Sequence, residues 1–343
     1  MIVINNYKIN FKFKYIITFI VFYFTSINLL AQTTDNIKKP KIERITQAFG
    51  FLVGQEYSLN YIKSEFPKLG NDVLMAELAF KSTFGKAKDG LNDYLLNYLG
   101  EIKFKEYNES FLEEINKRMS NESFSEEIAI NFIEDVHNRA KGIVTSPILE
   151  TLLSFQYIDF PHKELLAGFT TVFKTKGHIK SKNTDWQIRV PKSWRAKEAD
   201  RPNIIKSFID DFGDGNQSIM LMVKDIPLSK GYKFSKQEQN EFFTEKEIKI
   251  MVPQDAKFIS FTKMTIDGNI GGMLEIEQTL SRLDLKLKMR MVEFVFIKDA
   301  KIYSLVGTVC SPKTDESLAL KMEKYLPLFK FVANSIVLNG QYK

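Results

Sequence analysis

The chain has one cysteine, Cys310, and three histidines, His137, His162 and His178. A single thiol cannot close an internal disulfide. No Cys-x-x-Cys or His-x-His pair occurs, so the ligand spacing of a transition-metal site is missing. His137 stands in a helical stretch without a second histidine one turn away. No Gly-x-Ser-x-Gly elbow is present. The glycine-rich run Gly268-Asn269-Ile270-Gly271-Gly272 lacks the lysine of a P-loop and leads into a strand, not a helix. Its glycines are expected to serve a turn and a bulge. Nothing in these absences calls for a cofactor or a metal, and no residue is assigned a catalytic role.

Acidic residues are also missing from the start of the chain, where the first is Asp35. Lys8, Lys12 and Lys14 precede an apolar run from Tyr15 to Ala31, which turns polar at Gln32. A positive start, an apolar middle and a small residue at the end are the parts of a secretory signal. Residues 1–31 therefore read as an export signal, with the protein periplasmic or secreted. The run is long for a cleaved signal, so retention as an N-terminal anchor is the alternative, and the only membrane attachment expected. No cysteine follows it, which excludes a lipid anchor at that point. The formal net charge is +6, and residues 1–31 hold three cations and no acid, leaving +3 for the remainder. So mild an excess argues against a nucleic-acid binder.

The remainder divides by hydrophobic period. Over residues 32–160 the pattern is helical, with Ile42, Ile45, Phe49, Leu52 and Val53 at helix spacing. Ser58 and Asn71 are expected to cap helices, and Gly85 and Gly100 to break them. Ser110 with Glu113, and Ser123 with Glu126, have capping-box spacing. Ser146-Pro147 predicts a cap and first-turn proline for the next helix. Five to seven short or medium helices in an irregular bundle are expected.

Over residues 165–343 the period falls to two. Phe169, Thr171 and Phe173 alternate, as do Trp186, Ile188 and Val190, then Ile219, Leu221 and Val223. Phe294 to Ile297 and Ile302 to Val309 are continuous apolar runs, as in central strands. Asp214-Gly215-Asn216 and Asp267-Gly268-Asn269 are turn signals. Ser235 with Glu238 is a third capping box, and a last helix is expected from about Asp315, kinked or ended by Pro327. With Arg282-Leu283 as the turn, Glu277 would face Lys288, Glu275 would face Arg290, Ile276 would face Met289 and Leu274 would face Met291. The row Lys286, Lys288, Arg290 then reads as a solvated sheet face neutralised by Glu275 and Glu277, not a basic stripe. Strands in series with two inserted helices give an α+β domain. Cys310, within an apolar strand, is expected to be buried.

The segment Trp186–Trp194 (WQIRVPKSW), the meander Ile204–Ile226, the helix after Ser235, the hairpin preceded by Gly271-Gly272 and the C-terminal helix ending in Phe331-Val332-Ala333-Asn334-Ser335-Ile336 together resemble the PsbP-like family. The resemblance covers about residues 169–338. It implies a binding or accessory protein, not an enzyme, and carries over no site residue. The helical region before Gly168 is not part of that pattern.

Among candidate sites, Asp210 to Asn216 clusters oxygens and glycine but lacks the ligand order of a calcium loop, and reads as a hairpin turn. Ser193 has Lys192 beside it, yet neighbours on a turn seldom converge as nucleophile and base. Trp194, with Lys192 and Arg195, follows a strand-ending proline and is the candidate partner contact, since Trp and Arg are enriched at interface hot spots. The plainer alternative folds Trp194 back on the sheet edge. The sequence is thus read as an exported non-enzymatic module for a cell-envelope protein partner. The alternatives are a small-molecule or lipid binder with a pocket between the two halves, and a hydrolase.

Overall fold

A computed structural model describes residues 34–120, 125–212, 215–228, 234–282, 285–311 and 317–342. The expected export signal lies outside the described residues. Among those described, no helix is long and apolar enough to cross a membrane. The chain forms two compact units, one running through Asp159 and the other from Phe160 to the C-terminus.

The first unit is helical: α1 (Thr34–Glu65), α2 (Gly70–Leu99), α3 (Glu101–Ser120), α4 (Glu126–Ala140) and α5 (Ile148–Gln156). These helices are longer and fewer in breaks than the sequence suggests. Val73, Ala76, Phe80, Phe84, Ala87, Leu91 and Leu95 form one buried stripe that stays in phase through Gly85. Burying that stripe outweighs the roughly 1 kcal/mol a mid-helix glycine costs. Gly85 therefore leaves only a kink at Phe84, and the break comes at Gly100, where φ is 79°. Ser58 lies inside α1, its hydroxyl donating to the Gly54 carbonyl at 2.9 Å instead of capping. Ser110 is likewise inside α3, and α2 begins at Gly70, before Asn71. Ser123 lies outside the described residues; Ser125 caps α4, its oxygen accepting from the Ile128 N–H at 3.3 Å. Pro147 is the N-cap residue of α5, one position earlier than expected.

The second unit is α+β. Its elements are α6 (His162–Leu166), β1 (Thr170–Lys174), β2 (Trp186–Pro191), β3 (Arg195–Lys197), β4 (Ile204–Ile209) and β5 (Gln217–Asp225). They continue with α7 (Lys236–Phe242), α8 (Glu245–Met251), β6 (Ala256–Ile266), β7 (Asn269–Arg282), β8 (Leu285–Lys298), β9 (Lys301–Ser311), α9 (Leu318–Asn334) and β10 (Val337–Leu338). The strands make two sheets: a seven-stranded one in the order β3-β4-β5-β9-β8-β7-β6, and a three-stranded one in the order β1-β2-β10.

One face of the large sheet carries Val292, Phe294, Phe296 and Leu305 into a core with Leu318, Met322, Tyr325, Phe329 and Val332 of α9, and with Trp186, Ile188 and Val190 of β2. The other face carries Met220, Met289, Met291, Val306 and Cys310 beneath Phe242, Phe243 and Ile248 of α7 and α8. The capping box at Ser235 and Glu238 is formed. The helix it opens stops at Phe242, because Thr244 starts a second one, accepting from the Glu247 N–H. Pro327 lies within α9 and does not end it.

The β7–β8 hairpin turns one residue later than the sequence suggests, with Arg282 opposite Leu285. Glu277 therefore faces Arg290, Glu275 faces Val292, Ile276 faces Met291 and Leu274 faces Glu293. Because the partner shifts by two, each side chain keeps its expected face. Leu274, Ile276, Met289 and Met291 are all buried. Glu275 still reaches Arg290 diagonally, Oε1 to Nε at 2.7 Å. The Asp267-Gly268 turn joins β6 to β7 with both residues at positive φ, as a two-residue hairpin of that type requires. No bulge falls at Gly271-Gly272; the irregularities are at Phe258/Ser260 and Ile204/Lys206. The Phe261 ring occupies the space a Cβ on Gly272 would need, 2.2 Å from it.

Candidate functional site

Pro191 ends β2 and sends the chain through Lys192 and Ser193 into Trp194, then edge strand β3. Two backbone bonds fix this turn: Lys192 N–H to the Phe169 carbonyl at 3.1 Å, and Trp194 N–H to the Pro191 carbonyl at 3.2 Å. A third support comes from α6. Glu164 Oε1 accepts from the Ser193 N–H at 2.8 Å, and Glu164 Oε2 lies 2.6 Å from Ser193 Oγ. Both residues are buried, at 2% and 1% exposure. Burial, and to a lesser extent nearby Asp210, together push the Glu164 carboxyl up to about 8 against the lowering effect of the Ser193 and Lys192 hydrogen bonds. Asp210 is buried as well and accepts from the Tyr325 hydroxyl at 3.4 Å.

The contact between Ser193 and Glu164 has the distance of a nucleophile and base, and its surroundings give it another role. At neutral pH a carboxyl titrating near 8 is mostly protonated. Ser193 Oγ donates to Glu164 Oε2, and a carboxyl that already carries a proton is a poor base for the serine's. The pair clamps the turn.

Trp194 is 7% exposed. Its ring packs on Tyr325 and Phe329 of α9, with centroids 6.4 Å apart in each case. The structure thus corrects the idea of Trp194 as a presented contact and places it on the inner side of the turn. The reason is area: an indole ring buries far more apolar surface against two aromatic rings than a surface position allows. Lys192 and Arg195 remain outside. The Arg195 guanidinium pairs with Asp211 at 3.1 Å. Arg195, Ala196 and Lys197 are all exposed, and β3 bonds to β4 on one side only. The turn therefore displays Lys192, Arg195 and Lys197 from a base that cannot readily move.

The sequence marked Lys192, Ser193, Trp194 and Arg195, and the structure keeps them together. It did not mark Glu164, Tyr325 or the pairing role of Asp211. Glu164 sits in a five-residue helix outside the family resemblance, and no local pattern distinguishes it from a surface acid.

No family model matches the chain, and no curated protein matches it. Among solved structures, the chain is similar to the cyanobacterial PsbP (CyanoP) of Synechocystis sp. PCC 6803, with 13% identity over 49% of this chain and 92% of that one, at a TM-score of 0.30. It is similar to the Ran-binding protein Mog1p of Saccharomyces cerevisiae, with 9% identity over 49% and 95%, at a TM-score of 0.31. It is also similar to LpqN of Mycobacterium tuberculosis, described as involved in cell envelope biogenesis, with 10% identity over 49% and 90%, at a TM-score of 0.29. About half of the chain is thus similar to these solved structures, at identities and TM-scores that pass on no function.

Proposed function

We propose that the chain is an exported, non-enzymatic accessory module, and that its C-terminal unit presents the β2–β3 turn to an acidic face of a cell-envelope protein partner. One observation carries this reading. Glu164, Ser193 and Trp194 are all committed to holding the turn from within, while Lys192, Arg195 and Lys197 stand outside it. A pre-organised set of cations on an edge strand costs little entropy to dock. It also steers an oppositely charged partner into register.

The test is cross-linked affinity purification from native cells, comparing the natural chain with a Lys192→Glu/Arg195→Glu/Lys197→Glu variant. Loss of a stoichiometric partner, at unchanged thermal stability, is the expected result. The same partners recovered with both chains, or none with either, would overturn it. Trp194→Ala does not serve here, because removing a buried ring tests folding. Mass spectrometry of the same eluate reads the N-terminus, expected at Gln32 if residues 1–31 are removed on export.

A further inference from the structure

The loop between β1 and β2 is folded inside out. Loops normally turn polar groups to water and apolar ones inward. Here Thr175, Ser181 and Thr184 are buried, at 0%, 2% and 7% exposure, whereas Ile179 is 93% exposed. The two threonine hydroxyls bond within the loop itself. Thr175 Oγ1 donates to the Thr184 carbonyl and accepts from the Trp186 N–H, both at 3.0 Å. Thr184 Oγ1 donates to the Ser181 carbonyl at 2.5 Å. Backbone bonds from His178 to Thr175, Ser181 to His178 and Thr184 to Ser181 close successive turns. Ile179 is therefore held out by a built scaffold and is not a frayed tip.

Lysines surround it in sequence. Lys174 and Lys176 are exposed, and their side chains make no hydrogen bond or ion pair among the described residues. Lys180 Nζ donates to the Ala199 carbonyl, and Lys182 pairs with Asp225 at 3.3 Å. Of the acids beside the loop, Glu198 is shared by His178 and Lys206 and Asp225 by Lys182 and Lys301, while Asp185 accepts from the Asn339 amide. Val172, on the same edge strand as Lys174, is 46% exposed.

We infer that this loop docks on an anionic bilayer surface. Ile179 enters the headgroup boundary and Lys174 and Lys176 meet lipid phosphates. This goes beyond the partner contact proposed above, uses different residues, and is separate from the N-terminal anchor that the sequence leaves as the alternative to a cleaved signal. The chemistry favours lipid over protein. Protein interfaces are depleted in lysine and enriched in aromatic residues and arginine, and residues 174–182 contain neither arginine nor Phe, Tyr or Trp. An exposed aliphatic side chain flanked in sequence by lysines matches the combination of apolar insertion and charge that holds peripheral proteins on anionic lipid.

The test is sedimentation of the full chain with vesicles of phosphatidylcholine alone or containing about one-third phosphatidylglycerol. Binding to the anionic vesicles is expected to fall at least about twenty-five-fold in Lys174→Glu/Lys176→Glu, from a factor of about five for each of the two lysines, and at least about fivefold in Ile179→Asp. Because every variant keeps the N-terminal segment, binding through that segment alone would leave all of them unchanged and overturn the inference. Ile179→Trp provides a second readout, since Trp186 and Trp194 are both buried. A blue shift of its emission on anionic but not neutral vesicles is expected. An unshifted emission, or an equal shift on both, would overturn the inference. The Lys192/Arg195/Lys197 variant is expected to bind vesicles as the natural chain does, which separates this test from that of the protein contact.

Discussion

Phe329 of α9 lays its ring against Gly307 in the middle of β9. A Cβ on Gly307 would lie 2.4–2.6 Å from three atoms of that ring. Phe329 is fully buried and touches Tyr325 and Trp194 as well, so it has no space to retreat into. The same ring seats the helix on the sheet and forms part of the floor under the β2–β3 turn. Gly307→Ala is expected to destabilise the second unit by about 1–3 kcal/mol, the range for overpacking a filled core. Urea denaturation checks this: the midpoint should fall at an unchanged slope. An unaltered midpoint would mean that α9 rides more loosely on β9 than described.

Glu164 predicts how stability depends on pH. Its carboxyl is raised to about 8 in the folded chain, first by burial and then by Asp210. Unfolded, it titrates in the ordinary carboxylate range. Between those values the folded state binds the extra proton, so stability falls as pH rises. The contribution is complete below the unfolded value and lost as pH passes about 8. Glu293, fully buried and raised to about 7 by desolvation against a lowering hydrogen bond from Ser304, adds a slope of the same sign. Glu164→Gln keeps the shape and the contacts to Ser193 without the titration. It is expected to flatten the profile between pH 5 and 8 and to gain several kcal/mol on the natural chain at the alkaline end. Thermal melts across that range would refute the clamp if the two profiles stayed parallel.

The order of helices first and antiparallel strands after them is legible in the sequence because the apolar period changes from helix to strand, and period survives without knowledge of partners. The face of each hairpin residue is legible for the same reason. The register is not, because Arg282-Leu283 and Leu283-Asp284 are equally acceptable turns, and the choice depends on how β8 packs beside β9. Helix breaks at Gly85 and Ser58 fail because local signals yield to a stripe buried by tertiary contacts. At the candidate site, Lys192 and Arg195 are visible as charges after a strand-ending proline. The inward turn of Trp194 is invisible, because Tyr325 and Phe329, which receive it, are more than 130 residues away in the chain.

Asp267 gathers the C-terminal segment. Its carboxylate accepts from the Leu338 N–H at 2.6 Å, from Gln341 Nε2 at 2.8 Å and from the Tyr342 hydroxyl. Asp267 has a φ of 44°, a conformation asparagine also tolerates. Asp267→Asn therefore keeps the turn and removes the charge. It is expected to cost about 1–2 kcal/mol and to speed carboxypeptidase trimming after Leu338. The Tyr342 phenol is raised by its hydrogen bond to Asp267, by desolvation and by the carboxylate charge. Its ultraviolet titration should move down towards the ordinary tyrosine range in the variant. A titration that stays in place would detach Tyr342 from Asp267.

Arg290 and Glu275 form a nearly buried ion pair, with side chains 16% and 10% exposed. Arg290 stands directly opposite Glu277 in the ladder, yet its Nε reaches past it to Glu275, which also lies 3.4 Å from Ser260 Oγ. Removing one partner of such a pair strands the other charge away from water, whereas replacing both with apolar groups is often close to neutral. Arg290→Met is accordingly expected to cost about 2–4 kcal/mol, Glu275→Met a similar amount, and the double variant much less than their sum. Glu277→Gln is expected to change stability by less than about 0.5 kcal/mol, because the Arg290 guanidinium bonds Glu275 instead. The double-mutant cycle decides between the diagonal pair and the directly opposed one. Strong coupling of Arg290 to Glu277, with none to Glu275, would mean that β7 and β8 pair in a different register in solution.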